Sequence, residues 1–272
     1  MDYETSIDSD EYEQLFEDTS CNGATDTDKN KDDSDLDFLL DSVSLARKRL
    51  EKAILQQHLL WQTESSIHST KIDRIQKVPG LVVCRGALSP ELSKLYFEWL
   101  EAAYFQHTSH DPLINNNMER VNQGMYFGAM DDRSSPLGYL AYICTSIPGL
   151  LPAKLQNRVY GQGIINLYDS GEGIGDHIDL LRFDDGICGF SFGSTALMRM
   201  MPAKDVERAS RYAEEIDGLG ECVEVELGMG DLYAFSGDAR YRWTHGFPRH
   251  IDGKDNVCGR RISVTLRKLS TW

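Results

Sequence analysis

The sequence predicts a mainly β protein with flanking helices, built on a jelly-roll core. Three observations lead there. Short strand-like runs such as Gly186-Ile-Cys-Gly-Phe-Ser-Phe-Gly193, Thr195-Ala-Leu-Met-Arg-Met-Met201 and Cys222-Val-Glu-Val-Glu-Leu227 follow one another between glycine turns. Helical periodicity lies ahead of these runs or in an insertion between them. The 272 residues suit one catalytic domain with an appendage, enough to bury a full core.

Taken in order, the chain begins with an acidic tail. Residues 1–45 hold fifteen Asp or Glu and two Lys, so thirteen of the fifteen net negative charges sit there and 46–272 is left at −2. Residues 1–41, with Ser, Thr, Asn and Gly among the acids, read as disordered. Solubility is the plain role; mimicry of nucleic acid or docking to a basic partner is the sharper one. The near-neutral remainder leaves room for local basic patches against phosphates.

Residues 42–76 read as helix and linker. Leu45, Leu50, Ile54, Leu55, Leu59 and Trp61 recur near the helical period, and a polar stretch, Ser65 to Gln76, follows. The helix packs on the catalytic domain or pairs with another chain. Residues 77–272 form that domain, opened by the strand Pro79 to Cys84 and a helix with Ser89-Pro90 at its start. In Arg120-Val-Asn-Gln-Gly-Met-Tyr-Phe-Gly128, Tyr126 and Phe127 could stack on a base; alternatively, Met125 and Phe127 point into the core while Tyr126 faces water. Arg120 and Arg133 could reach phosphates. A helical insertion is expected over Lys204 to Ile216.

No run approaches a membrane span and no signal-peptide core follows the acidic start, so the expectation is an intracellular protein, cytoplasmic or nuclear, and a monomer. The six cysteines are scattered without a Cys-x-x-Cys pair and read as reduced thiols.

The stretch Asn166 to Asp179 carries the chemistry. In a strand, His177 and Asp179 share a face, and together they are two thirds of a 2-His-1-carboxylate iron site. The glycines at 171, 173 and 175 permit a tight turn before them. A second His-x-Asp, His250-Ile-Asp252, acts as an internal control, because it runs into a polar turn with no strand to hold a face. Downstream, a strand, a turn and a second strand ending on His245 supply a candidate third ligand. In Arg261-Ile-Ser-Val-Thr-Leu-Arg267, alternation places Arg261, Ser263, Thr265 and Arg267 on one face. Two inward arginines are costly unless an anion meets them, and a dicarboxylate bound across a metal would do so.

From Pro79 to Lys268 this order and spacing resembles the AlkB family of Fe(II)- and 2-oxoglutarate-dependent dioxygenases. The resemblance implies a double-stranded β-helix core, iron(II) on His177, Asp179 and His245, and O2 as a cosubstrate. It also implies 2-oxoglutarate touched by Asn166 and Tyr168, with Arg261 on its distal carboxylate and Arg267 nearer the iron. Phe183-Asp-Asp-x-Ile187 and Gly237-Asp-Ala-Arg-Tyr-Arg-Trp-Thr-His-Gly246 look most like the branch that oxidises a wobble uridine in tRNA. Where repair members carry an acid that reads the damaged base, this chain has Leu181. The implied activity is therefore demethylation or hydroxylation of an alkylated or modified nucleic acid, RNA or tRNA before DNA, with Arg240 a further substrate contact. A protein side-chain oxygenase and a non-catalytic binding module on the same fold are the alternatives.

Overall fold

The computed structural model describes residues 41–57, 71–105, 122–203, 221–248, 250–251, 254–255 and 259–270. The acidic tail, Arg120, and the insertion expected at Lys204 to Ile216 lie outside the described residues.

A first helix, α1 (41–57), buries Leu50 and Ile54 completely or nearly so in the main core, while Leu45 and Leu55 stay exposed. Of the two roles open to this helix, it takes the packing one. The stretch read as linker ends in a strand, β1 (Lys71–Arg74), because Ile72 pairs with Cys84 across a ladder that composition did not announce. β2 (Leu81–Arg85) follows, then α2 (Pro90–Tyr104). Ser89 caps α2 by accepting from the Leu92 amide, and Pro90 fills a first-turn position that needs no N–H. β3 (Gln123–Phe127) leads to α3 (Pro136–Ser146), capped the same way by Ser135. The Tyr96 hydroxyl on α2 donates to the Pro136 carbonyl and ties the two helices.

The remaining elements are β4 (Gln162–Tyr168), β5 (Ile174–His177), β6 (Ile187–Gly193), β7 (Ala196–Pro202), β8 (Val223–Leu227), β9 (Leu232–Phe235), the helical turn α4 (Asp238–Tyr241), β10 (Trp243–Phe247), β11 (His250–Ile251), β12 (Lys254–Asp255) and β13 (Arg261–Arg267). A seven-stranded sheet runs β1-β2-β9-β6-β13-β4-β3, a four-stranded one β5-β10-β7-β8, and their pairings are antiparallel. One face of the large sheet sends Ile262, Val264, Leu266, Ile165 and Phe190 into the helices. Its other face sends Leu81, Val83, Tyr233 and Phe235 against Met198, Met200, Val225 and Leu227 of the small sheet. This is the jelly-roll sandwich, with helices on one side. No described helix is long and apolar enough to cross a membrane.

Three local expectations change. His245 sits in the middle of β10, with a helical turn before it. β5 stops at His177, leaving Asp179 beyond the ladder. The stretch at His250, read as a turn without a strand, is a two-residue hairpin arm paired with β12.

Ile54→Ala should cost about 2–5 kcal/mol, the usual loss for a buried aliphatic truncation. Leu45→Ala on the exposed side of α1 should stay within about 0.5 kcal/mol. Urea melts of the full chain check both, and equal effects would detach α1 from the core.

Candidate metal and carboxylate site

The pairing of β5 with β10 sets His177 directly opposite His245, their ring centroids 4.3 Å apart. Asp179 joins them, and one ligand atom from each lies within 4.8 Å of the others; no second such group is found among the described residues. His177 Nδ1 lies 2.9 Å from the Gly175 carbonyl and donates to it, so Nε2 keeps its lone pair for a metal. His245 Nε2 stands 3.6 Å from Asp179 Oδ2. Burial, and then the neighbouring His177, hold the His245 pKa down at about 3, which keeps the imidazole neutral and able to coordinate.

Asp179 is 4% exposed. Burial alone would raise its pKa, but the charges of Arg267, His245, His177 and Arg240 outweigh it and hold the value at about 2. Arg267 touches one carboxylate oxygen, yet neither oxygen accepts a hydrogen bond of good geometry. A buried ionised carboxylate with free acceptor sites, beside two imidazoles, suits a divalent cation.

The residue before His177 points away from the site. The Arg199 guanidinium of β7 forks Asp176, Nη2 to Oδ2 at 2.6 Å and Nε to Oδ1 at 3.2 Å, and this half-buried pair anchors β5 across β10.

Beside the three ligands a cavity of about 340 Å³ opens between the sheets, within the range of small-ligand pockets. Its floor is a set of cross-strand rows. Gln123, Asn166, Ser263 and Ser191 lie in one row across β3, β4, β13 and β6; Met125, Ile164, Thr265 and Gly189 lie in the next. Gln123 Nε2 donates to Asn166 Oδ1 at 2.8 Å and orients that amide.

Arg261 has no exposed surface. Its guanidinium carbon lies 4.1 Å from the Phe247 ring centre and 5.2 Å from that of Tyr168, and its Nε donates to Ser191 Oγ. Both terminal nitrogens lack a well-formed hydrogen bond; the Tyr168 hydroxyl is near enough to favour the charge without accepting squarely. Burial lowers its pKa, with Tyr168 and Tyr233 opposing the shift. An unpaired buried guanidinium is what a carboxylate ligand would complete.

The structure thus brings together His177, Asp179, His245, Asn166, Tyr168, Arg261 and Arg267. Two expected substrate contacts are corrected. Arg240 is buried, its guanidinium spent on the backbone carbonyls of Asp179, Leu180 and Phe183, so it cannot face a substrate. Tyr126 packs against the main core, while Met125 and Phe127 are the exposed pair at 50% and 62%. β3 does alternate, but in the opposite sense to the core-facing alternative. Arg133 stacks over Tyr142.

Sequence reasoning missed Gln123 and Tyr233. The Tyr233 phenol lies across Gly189, where an added Cβ would come within 2.1 Å of the ring, and its hydroxyl is turned toward Thr265. Burial pushes its pKa up to about 12, so it stays a protonated donor in the cavity wall. The signal available was Gly189 within an otherwise apolar strand, since such a glycine marks a close approach.

Residues 80–267 match the family model described as the 2OG-Fe(II) oxygenase superfamily. The chain is 30% identical over 182 residues to tRNA (carboxymethyluridine(34)-5-O)-methyltransferase ALKBH8 of Mus musculus, covering 64% of this chain and 25% of that protein. It is 35% identical over 114 residues to the alkylated DNA repair protein ALKBH8 homolog of Arabidopsis thaliana, covering 39% of this chain and 33% of that one. A solved structure described as OsALKBH1 superposes with a TM-score of 0.43 at 18% identity, over 70% of this chain and 98% of that chain. The matched region thus spans about a quarter to a third of these two curated relatives.

Gly189→Ala should push the Tyr233 phenol into the cavity. Overpacking of about 1–3 kcal/mol, felt in binding, corresponds to roughly a tenfold higher requirement for 2-oxoglutarate. A 2-oxoglutarate titration of succinate formation checks this, and an unchanged midpoint would place the phenol outside the binding volume.

Proposed function

We infer the division of labour in the site from one premise: this chain belongs to the 2OG-Fe(II) oxygenase superfamily, as an AlkB-like 2-oxoglutarate-dependent dioxygenase that uses Fe(II), 2-oxoglutarate and O2. The observation that carries the inference is a vacancy of charge. A buried carboxylate with unused acceptors, Asp179, lines the cavity between the sheets, and a buried guanidinium with unused donors, Arg261, packs against Tyr168 and Phe247 of its wall.

His177, Asp179 and His245 hold the iron. Arg261 receives the distal carboxylate of 2-oxoglutarate between Tyr168 and Phe247, Asn166 is oriented by Gln123 for the near end, and Arg267 balances the charge beside Asp179. Iron(II) held by these three residues would supply the oxidising chemistry with 2-oxoglutarate and O2, giving succinate and CO2 as co-products.

The substrate is an alkylated or modified nucleic acid, RNA or tRNA before DNA. Met125 and Phe127 support this, since both stand exposed on the sheet face that carries Gln123 and Ile164 and offer a flat apolar surface to a base. Leu181, 43% exposed just past Asp179, offers no carboxylate for reading a damaged base. The ALKBH8 relatives named for tRNA modification lend the same direction.

Succinate formation by the iron-loaded full chain tests the reading, with methylated RNA, methylated DNA and tRNA added in turn. Turnover should rise most with one of the RNAs and vanish in His177→Ala; turnover indifferent to every nucleic acid would remove this substrate class. Arg261→Ala should raise the 2-oxoglutarate requirement tenfold or more, because each charge-assisted hydrogen bond contributes about 1.5–3 kcal/mol. Phe127→Ala should weaken use of the nucleic acid by about 1–3 kcal/mol of lost stacking while leaving succinate formed without substrate unchanged. A loss of both activities would assign Phe127 to the fold instead.

A further inference from the structure

The two stretches that flank the ligands, Phe183-Asp184-Asp185 after Asp179 and Gly237-Asp238-Ala239-Arg240 before His245, meet in space. Arg240 is 1% exposed, and among the described residues no carboxylate forms an ion pair with it. Its Nη1 donates to the Asp179 carbonyl at 2.9 Å, and its Nη2 to the carbonyls of Leu180 at 2.7 Å and Phe183 at 2.9 Å. A second tie runs the other way, from the Gly237 amide to Asp185 Oδ1 at 2.9 Å, an oxygen that also accepts from the Gly186 amide.

The three ligands are not equally supported. His177 and His245 face each other in a strand register, whereas β5 has ended before Asp179 and no ladder holds it. The segment from Asp179 turns three carbonyls inward; that of Leu180 also accepts from the Phe183 amide, so the guanidinium is the donor on which the Asp179 and Phe183 carbonyls depend. Taking a cation out of water for backbone carbonyls and the face of Tyr241 is costly. Two terminal nitrogens in one rigid plane meet these acceptors from fixed positions, a spread that the single nitrogen of an ammonium does not reproduce.

We propose that Arg240 and Asp185 are positioning residues for the metal centre. They fix the segment carrying Asp179 to the turn that feeds β10, so the carboxylate and the His245 imidazole keep their relative placement without a shared ladder. The proposal rests on the reading of His177, Asp179 and His245 as ligands.

The test is Co2+ titration of the full chain, followed by visible absorption, alongside thermal melts of the same samples. Wild type, His177→Ala, Asp185→Ala, Arg240→Lys and Arg240→Met are compared. Asp185→Ala and Arg240→Lys should remain folded, bind Co2+ about 10- to 100-fold more weakly, the usual effect of removing a group that orients a ligand, and show an altered d–d band. Lower melting temperatures with wild-type affinity and an unchanged band would reduce both residues to scaffold and overturn the proposal. If Arg240→Met does not fold, the other two variants decide. His177→Ala separates the two layers of inference. Undiminished Co2+ binding in that variant would overturn the ligand assignment and the clamp with it, while loss there with none in the clamp variants would overturn the clamp alone.

Discussion

Charge buried inside a β-sandwich is the constraint on which the rest depends. Asp179, Arg240 and Arg261 are almost wholly withdrawn from water, and Arg267 is nearly so. Such groups are tolerated where partners or ligands answer them. Arg240 is answered by three carbonyls and Arg267 by Asp179, but Arg261 and the free sides of Asp179 are not. The architecture bears that imbalance because two apolar layers enclose it, one against the helices and one between the sheets.

Much of this was legible because a strand has a period of two. Arg261, Ser263, Thr265 and Arg267 could be assigned to one face from the sequence, and the structure sets Ser263, Thr265 and Arg267 in the cavity lining and Arg261 behind Tyr168 and Phe247, with Ile262, Val264 and Leu266 toward the helices. The same period explains the error on β3. Alternation separates Tyr126 from Met125 and Phe127 but does not say which set is buried, since a change of face reverses every side chain together. Here the core lies on the Tyr126 side.

Other features were beyond reach of local patterns. Arg240 lies in a charged run, Asp238-Ala-Arg240-Tyr-Arg242, where a solvated arginine is the ordinary expectation; Arg242 is indeed 73% exposed. Arg240 turns inward to donate to carbonyls of the chain about 60 residues earlier. Tyr233 over Gly189 is a contact between strands, invisible to either strand alone. Asp179 shares a side with His177 without sharing its strand, so the i, i+2 argument reached the right pair by way of the wrong element.

The place of β3 at the margin of the large sheet has a consequence of its own. Among the described residues it pairs with β4 alone, whereas β13, which carries Arg261 and Arg267, is paired on both sides. Strands with one neighbour open at lower free energy than those in the middle of a sheet. The exposed apolar surface of Met125 and Phe127 and the arginines of β13 therefore belong to different layers of rigidity. Sequence drift in Met125 or Phe127 can alter what the enzyme accepts while the centre that performs the oxidation keeps its shape.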